Sequence, residues 1–148
     1  MKRVQQYLRQ LLPLVVMLFT AAHCEKERAD CHYRITFVNH SNKVIYVDWT
    51  REEYYDSGFP NPLNSPQFYK IDAMQTSRDA LFSRDCIEYK FRGKNPTDTM
   101  LVFVIDAEVL ANTPWEQVKE ERLFLKEYKL GLEDLQKMDW RIVFSGAD

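Results

Sequence analysis

The stretch Thr99–Asp106, TMLVFVID, constrains the fold of this chain more than any other. Met100 through Ile105 are all apolar and four of the six are Val, Ile or Phe, so the segment reads as a strand. A strand apolar on both sides is covered on both sides, which requires a layer packed on each face of its sheet.

The remaining elements are read around that strand. Tyr33, Ile35 and Phe37 alternate with Arg34, Thr36 and Val38, and after His40-Ser41-Asn42 the run Lys43 to Thr50 puts Ile45, Val47 and Trp49 on one face. Two half-buried strands joined by three polar residues predict a hairpin. Arg51 to Phe68 holds three prolines and scattered Gly, Ser and Asn, so it reads as a long loop. Loops of that length are usually either binding elements or loosely ordered. Tyr69 to Ala73 fits a third strand, and Asp85 to Arg92 fits either an edge strand or a short helix. Thr113-Pro114-Trp115-Glu116 has capping-box spacing with Pro at the first helical position, predicting a helix that ends near Arg122. Leu123 to Lys129 returns as a strand, Leu132 to Met138 as a helical turn, and Trp140 to Phe144 as a last strand. Strands outnumber the short, late helices. The expected class is a β-rich α+β domain, an antiparallel sheet or sandwich-like fold with one or two short C-terminal helices.

The first ten residues carry Lys2, Arg3 and Arg9 with no acid, and LLPLVVMLFTAA follows before Cys24. These are the basic and apolar regions of an export signal. A spanning helix needs about 20 apolar residues, and this run stops at the charged string EKERAD. Ala21-Ala22-His23-Cys24 resembles a lipobox, in which the cysteine receives a diacylglycerol and the chain is cut before it. It departs from that pattern in having Ala21 where Leu is usual and His23 where a small residue is usual. A cut after Ala22 is the rival, and it would release a soluble protein. The expected organisation is a signal peptide over 1–23, a lipid-anchored tether over 24–32, and one β-rich domain over 33–148. The expected address is the cell envelope, on the periplasmic or surface side of a bacterial membrane.

Loss of residues 1–23 removes Lys2, Arg3 and Arg9 from the 20 basic residues, leaving 17 against 22 acidic ones, net −5. That balance argues against nucleic acid as a partner and leaves membrane contact to the lipid anchor. With Cys24 lipidated, Cys31 and Cys86 remain to pair where disulfides persist. Closing that loop is worth about 4 kcal/mol in the chain-entropy view.

The string from Ile35-Thr36-Phe37-Val38-Asn39 through Asp98 to Asp106, Thr113-Pro114-Trp115, Leu132-Glu133-Asp134-Leu135-Gln136 and on to Trp140 resembles a group of small lipoproteins from Bacteroidota with no assigned activity. The resemblance implies an envelope location and carries over no functional residue.

Chemistry is sparsely signed. Of the three histidines, His23 lies in the leader, and His32 and His40 would sit roughly 26 Å apart on an extended strand. No Cys or His pair has zinc spacing, so no metal ligands and no cofactor are expected. Asp106 and Glu108 would share a face about 7 Å apart if their strand ran on, which suits a carbohydrate-active enzyme; equally, Asp106 suits the start of a turn. There is no nucleophile elbow or phosphate-binding glycine motif. Tyr54, Tyr55 and Phe59 lie in the long loop and suit either a protein or glycan contact or simple packing. The expected function is a non-enzymatic accessory or partner-binding lipoprotein. The alternatives are a carbohydrate-active enzyme using Asp106 and Glu108, or a structural or assembly role.

Overall fold

A computed structural model describes residues 31–55, 59–92 and 99–146. The domain is β-rich α+β, as its sequence pattern predicts. Its strands are β1 (Arg34–Asn39), β2 (Ile45–Arg51), β3 (Lys70–Ile71), β4 (Thr76–Phe82), β5 (Met100–Asp106), β6 (Lys126–Leu130) and β7 (Arg141–Phe144). Five short helices join them: α1 (Pro66–Tyr69), α2 (Ile87–Arg92), α3 (Ala107–Asn112), α4 (Trp115–Glu120) and α5 (Leu132–Lys137). One sheet has the order β4-β1-β7 and the other β3-β2-β5-β6. All pairings are antiparallel except β1 with β7. Among the described residues no helix is long and apolar enough to cross a membrane.

Strand β5 is the keel, and all seven of its residues are buried. It pairs along its whole length with β2, from Ile45 against Asp106 to Arg51 against Met100. Because side chains alternate faces, Met100, Val102 and Val104 enter one core, shared with Ile35 and Phe37 of β1, Leu81 of β4 and Ile142 and Phe144 of β7. Leu101, Phe103 and Ile105 enter a second core with Tyr46, Phe59, Leu110 of α3 and Val118 of α4. The two layers demanded by an all-apolar strand are therefore the other sheet and a cover of helices and loop. At about 1.5–3 kcal/mol per fully buried large apolar side chain, β5 contributes more to the core than any other strand.

The hairpin expected between β1 and β2 does not form. β1 pairs with β4 and β7, while β2 pairs with β3 and β5, so the chain crosses from one sheet to the other at residues 39–44. Asn39, fully buried, holds this corner. Its Nδ2 donates to the carbonyls of Lys43 (2.8 Å) and Asp72 (3.0 Å), and its Oδ1 accepts from Ser41 N (3.0 Å) and Ser41 Oγ (2.7 Å). Four hydrogen bonds to one side chain satisfy a buried amide completely. Alternation determines which face each residue takes; it is silent on which strand lies alongside.

Other boundaries shift for local reasons. The third strand shrinks to Lys70–Ile71, because Tyr69 still belongs to α1. Asp85–Arg92 resolves into helix α2. The expected helix after Thr113 starts one residue later, with Pro114 as its N-cap and no side-chain cap bond. β4 and α3 have no counterpart in the pattern reading. β4 is a bulged, largely exposed strand at the sheet's edge, where apolar periodicity is weakest.

Candidate functional site

The compact unit begins at Cys31, so Cys31 and His32 belong to the fold rather than to a tether. Cys31 precedes β1, and Cys86 immediately precedes α2. The two are disulfide-bonded across 55 residues, with Cα atoms 5.3 Å apart and both side chains buried. The link is braced by backbone bonds from Ile87 N to His32 O (2.8 Å) and from Ser83 N to Tyr33 O (2.8 Å). Glu88, in the first turn of α2, is 4% exposed and points back at this link. Its Oε2 accepts the His32 backbone N–H (2.8 Å) and lies 3.2 Å from Cys86 Sγ, while its Oε1 accepts from His32 Nδ1 (2.5 Å). The His32 ring stacks on Trp140 with centroids 3.9 Å apart. Trp140 reaches that position through two consecutive left-handed residues after α5, Asp139 at φ 51° and Trp140 at φ 54°. The sulfurs of Cys31 and Cys86 and a Glu88 oxygen all lie within 4.8 Å of one another. The sequence reading found the cysteines but had no signal for Glu88, since a lone acid next to an ambiguous helix looks like solvated surface.

A strand end and a helix start fall between the two acids. β5 ends at Asp106, which caps α3: its Oδ1 accepts the Glu108 N–H at 2.9 Å and its Oδ2 accepts from Lys43 Nζ at 2.5 Å. Burial opposes ionisation of Asp106, but the Lys43 hydrogen bond, the Glu108 N–H and the Lys43 charge together hold its carboxyl below the ordinary carboxylate range. Glu108 sits exposed in the first turn of α3. A helix begins where the shared strand face would have continued, so Asp106 is engaged as a cap and ion-pair partner while Glu108 stands exposed on the first turn.

Within the aromatic segment the structure separates residues that the sequence grouped. Phe59 is 4% exposed and packs on Phe103 (4.7 Å between centroids) and Trp115 (5.1 Å), whose Nε1 donates to Phe59 O at 3.2 Å. It is a core residue and leaves the contact surface. Tyr55 is half-buried, its hydroxyl donating to Lys119 O (2.9 Å) and its ring facing the Arg122 guanidinium (5.1 Å). With Glu116, Lys119 and Glu120, Tyr55 lines an open cleft of about 210 Å³. That is below the about 300–1,000 Å³ usual for small-molecule sites. Tyr54 is 50% exposed, and Leu63 and Phe68 on the next two turns are 40% and 55% exposed.

Beneath this segment lies Asp48, on the face of β2 that it shares with Tyr46. Asp48 is buried; its Oδ1 accepts the Trp49 N–H (2.7 Å) and its Oδ2 has no hydrogen-bond partner among the described residues. Burial pushes its carboxyl up to about 7, against a smaller opposing pull from the Trp49 N–H. Tyr69 is raised too, by burial first and the Asp48 charge second. The alternation over residues 43–50 marks only the face of Ile45, Val47 and Trp49 and carries no signal that loop and helices cover the opposite face as well. Cys24, the expected lipidation site, lies outside the described residues.

No protein-family model, curated protein or solved structure matches this chain.

Proposed function

We propose that this chain is an exported lipoprotein of the bacterial envelope, anchored through Cys24, whose folded domain binds a protein or glycan partner rather than catalysing a reaction. The observation that carries the binding reading is the division of labour within Arg51–Phe68. Phe59 is sunk in the core and fixes the segment, while Tyr54, Leu63 and Phe68 are turned outward. They make up three of the seven large apolar side chains left exposed among the described residues, concentrated on one anchored stretch. Aromatic rings held on a fixed segment lose little freedom on contact and suit sugar faces or apolar partner surfaces. The export reading is supported by the basic and apolar leader and by the buried Cys31–Cys86 link, since disulfides form and persist chiefly in oxidising compartments. The engagement of Asp106 as cap and ion-pair partner favours binding over acid–base chemistry at that strand end.

Two measurements test this reading. Mass spectrometry of the mature N-terminus is expected to give a diacylglyceryl-modified Cys24; an unmodified chain beginning at Met1 or at His23 refutes the anchor. A Tyr54→Ala/Phe68→Ala double variant is expected to keep the wild-type melting temperature and lose its cross-links to an envelope component. Unchanged cross-linking, or a collapse in stability, refutes the contact surface.

A further inference from the structure

We propose that Cys31, Cys86 and Glu88 form a redox-gated cation site, taking one zinc-type divalent ion on two thiolates and one carboxylate oxygen once the disulfide is opened. The three donor atoms already lie within 4.8 Å of one another, and all three residues are buried. A carboxylate at that depth is costly unless fully engaged. Here Oε1 is held by His32 Nδ1, while Oε2 takes a backbone N–H and faces a sulfur that, in a disulfide, has no hydrogen to offer. In the reduced state the same contact becomes a ligand set. Zinc bonds thiolate sulfur at about 2.3 Å and carboxylate oxygen at about 2.0–2.2 Å. Tetrahedral geometry then separates the two sulfurs by about 3.7 Å, a spread that side-chain rotation supplies between Cα atoms 5.3 Å apart.

The electron balance is closed by an external dithiol. It gives two electrons and two protons to the Cys31–Cys86 bond and itself closes to a disulfide, leaving two protein thiols. On binding, each thiol releases its proton to solvent and forms one metal–sulfur bond, while the carboxylate adds the third. His32 keeps its hydrogen bond to Oε1 and acts as a positioning residue, with the Trp140 stack fixing its ring; such outer partners orient carboxylate ligands. The fourth position is left to solvent. Two thiolates select for zinc-type ions over calcium or magnesium, which prefer all-oxygen shells. Disulfide and ion are mutually exclusive, so occupancy reports the redox state of the compartment. No zinc spacing is visible in the sequence because these ligands come together only through the pairing of β1 with β4 and the start of α2.

The test is a cobalt(II) titration of the purified chain under inert gas, with and without prior reduction by a dithiol that is then removed. Reduced protein is expected to bind one equivalent, with a thiolate-to-cobalt charge-transfer band and tetrahedral d–d bands, and zinc is expected to displace the cobalt. Oxidised protein is expected to give no such band. Glu88→Gln is expected to weaken binding by more than about tenfold, and His32→Ala by about tenfold to 100-fold with the charge-transfer band retained. If the reduced chain loses its circular-dichroism signature, zinc is expected to restore it. Reduced and folded protein with no charge-transfer band, an unfolded reduced chain that zinc fails to refold, or a Glu88→Gln variant that binds as tightly as wild type each overturns the proposal.

Discussion

Asp48 makes the stability of this domain depend on pH in a direction opposite to that of most carboxylates. Burial moves its carboxyl from 3.8 to about 7. The folded state therefore binds a proton more tightly than the unfolded chain. Between those two values the native state carries more protons, so stability falls as pH rises; it is fully present below about pH 4 and lost as pH passes through about 7. A difference of about three pH units at about 1.4 kcal/mol each amounts to about 4 kcal/mol, a large share of the stability of a domain this size. Asp48→Asn removes the titration. The amide oxygen still accepts the Trp49 N–H (2.7 Å), but its NH2 inherits the position of Oδ2, which has no partner among the described residues. That carries a pH-independent cost of about 1–3 kcal/mol. Urea unfolding of both proteins across that range separates the two effects: the variant's stability relative to wild type is expected to climb by about 4 kcal/mol between about pH 4 and 8, whatever its starting offset. Parallel profiles, agreeing in slope to within about 1 kcal/mol over that range, would refute the argument that an unpaired buried carboxyl is carried in this core.

The remaining predictions probe packing, the covalent link and local backbone. Phe59→Ala removes a ring packed on Phe103 and Trp115 and is expected to cost about 3–5 kcal/mol, whereas Tyr54→Ala is expected to stay within about 0.5 kcal/mol; chemical denaturation distinguishes them. Cys86→Ser with Cys31→Ser opens a link spanning 55 residues and is expected to lower stability by up to about 4 kcal/mol, read from the unfolding free energy extrapolated to zero urea, with a larger m-value because the unfolded chain is no longer cross-linked. Asp139→Gly relieves an exposed left-handed residue at φ 51° and is expected to raise stability by about 0.5–1 kcal/mol; a loss would mean that the Asp139 side chain supports the turn into β7. Asp106→Ala removes both the α3 cap and the Lys43 partner and is expected to cost at least the about 1 kcal/mol of a lost cap, while Asp106→Asn keeps the cap and loses only the ion pair.

How much of the fold the sequence disclosed depends on how each element is buried. β5 was legible because an unbroken apolar run has one economical solution, a strand covered on both faces, and both covers are present. β1, β2 and β7 were legible as strands through alternation. Their partners were not, since a period of two reports faces and is blind to neighbours. That blindness produced the expected hairpin, and it also hid the parallel pairing of β1 with β7, made between segments a hundred residues apart. β4 escaped because an edge strand with a bulge and four of its seven residues exposed has little apolar rhythm to read.

The site was less legible than the fold, for a reason visible in where five of the seven buried polar residues among the described ones lie, Asp48 and Thr50 inside β2 being the other two. Asn39 and Ser41 hold the corner between the sheets, Asp106 joins β5 to α3, Glu88 ties the start of α2 to the segment before β1, and Ser83 accepts the Asp85 N–H at the end of β4. Each stands at a junction, among residues whose type marks them as surface, and each is buried only because two distant segments meet there. Pattern reading assigns such residues to solvent by default. The consequence differs with chemistry: at the corner, four hydrogen bonds exhaust what Asn39 can offer, so the group is purely structural. Glu88 is the contrasting case. It lies within 4.8 Å of two sulfurs joined by a reducible bond, and a buried carboxylate beside such a link has a second chemistry available that an amide in the same position would not.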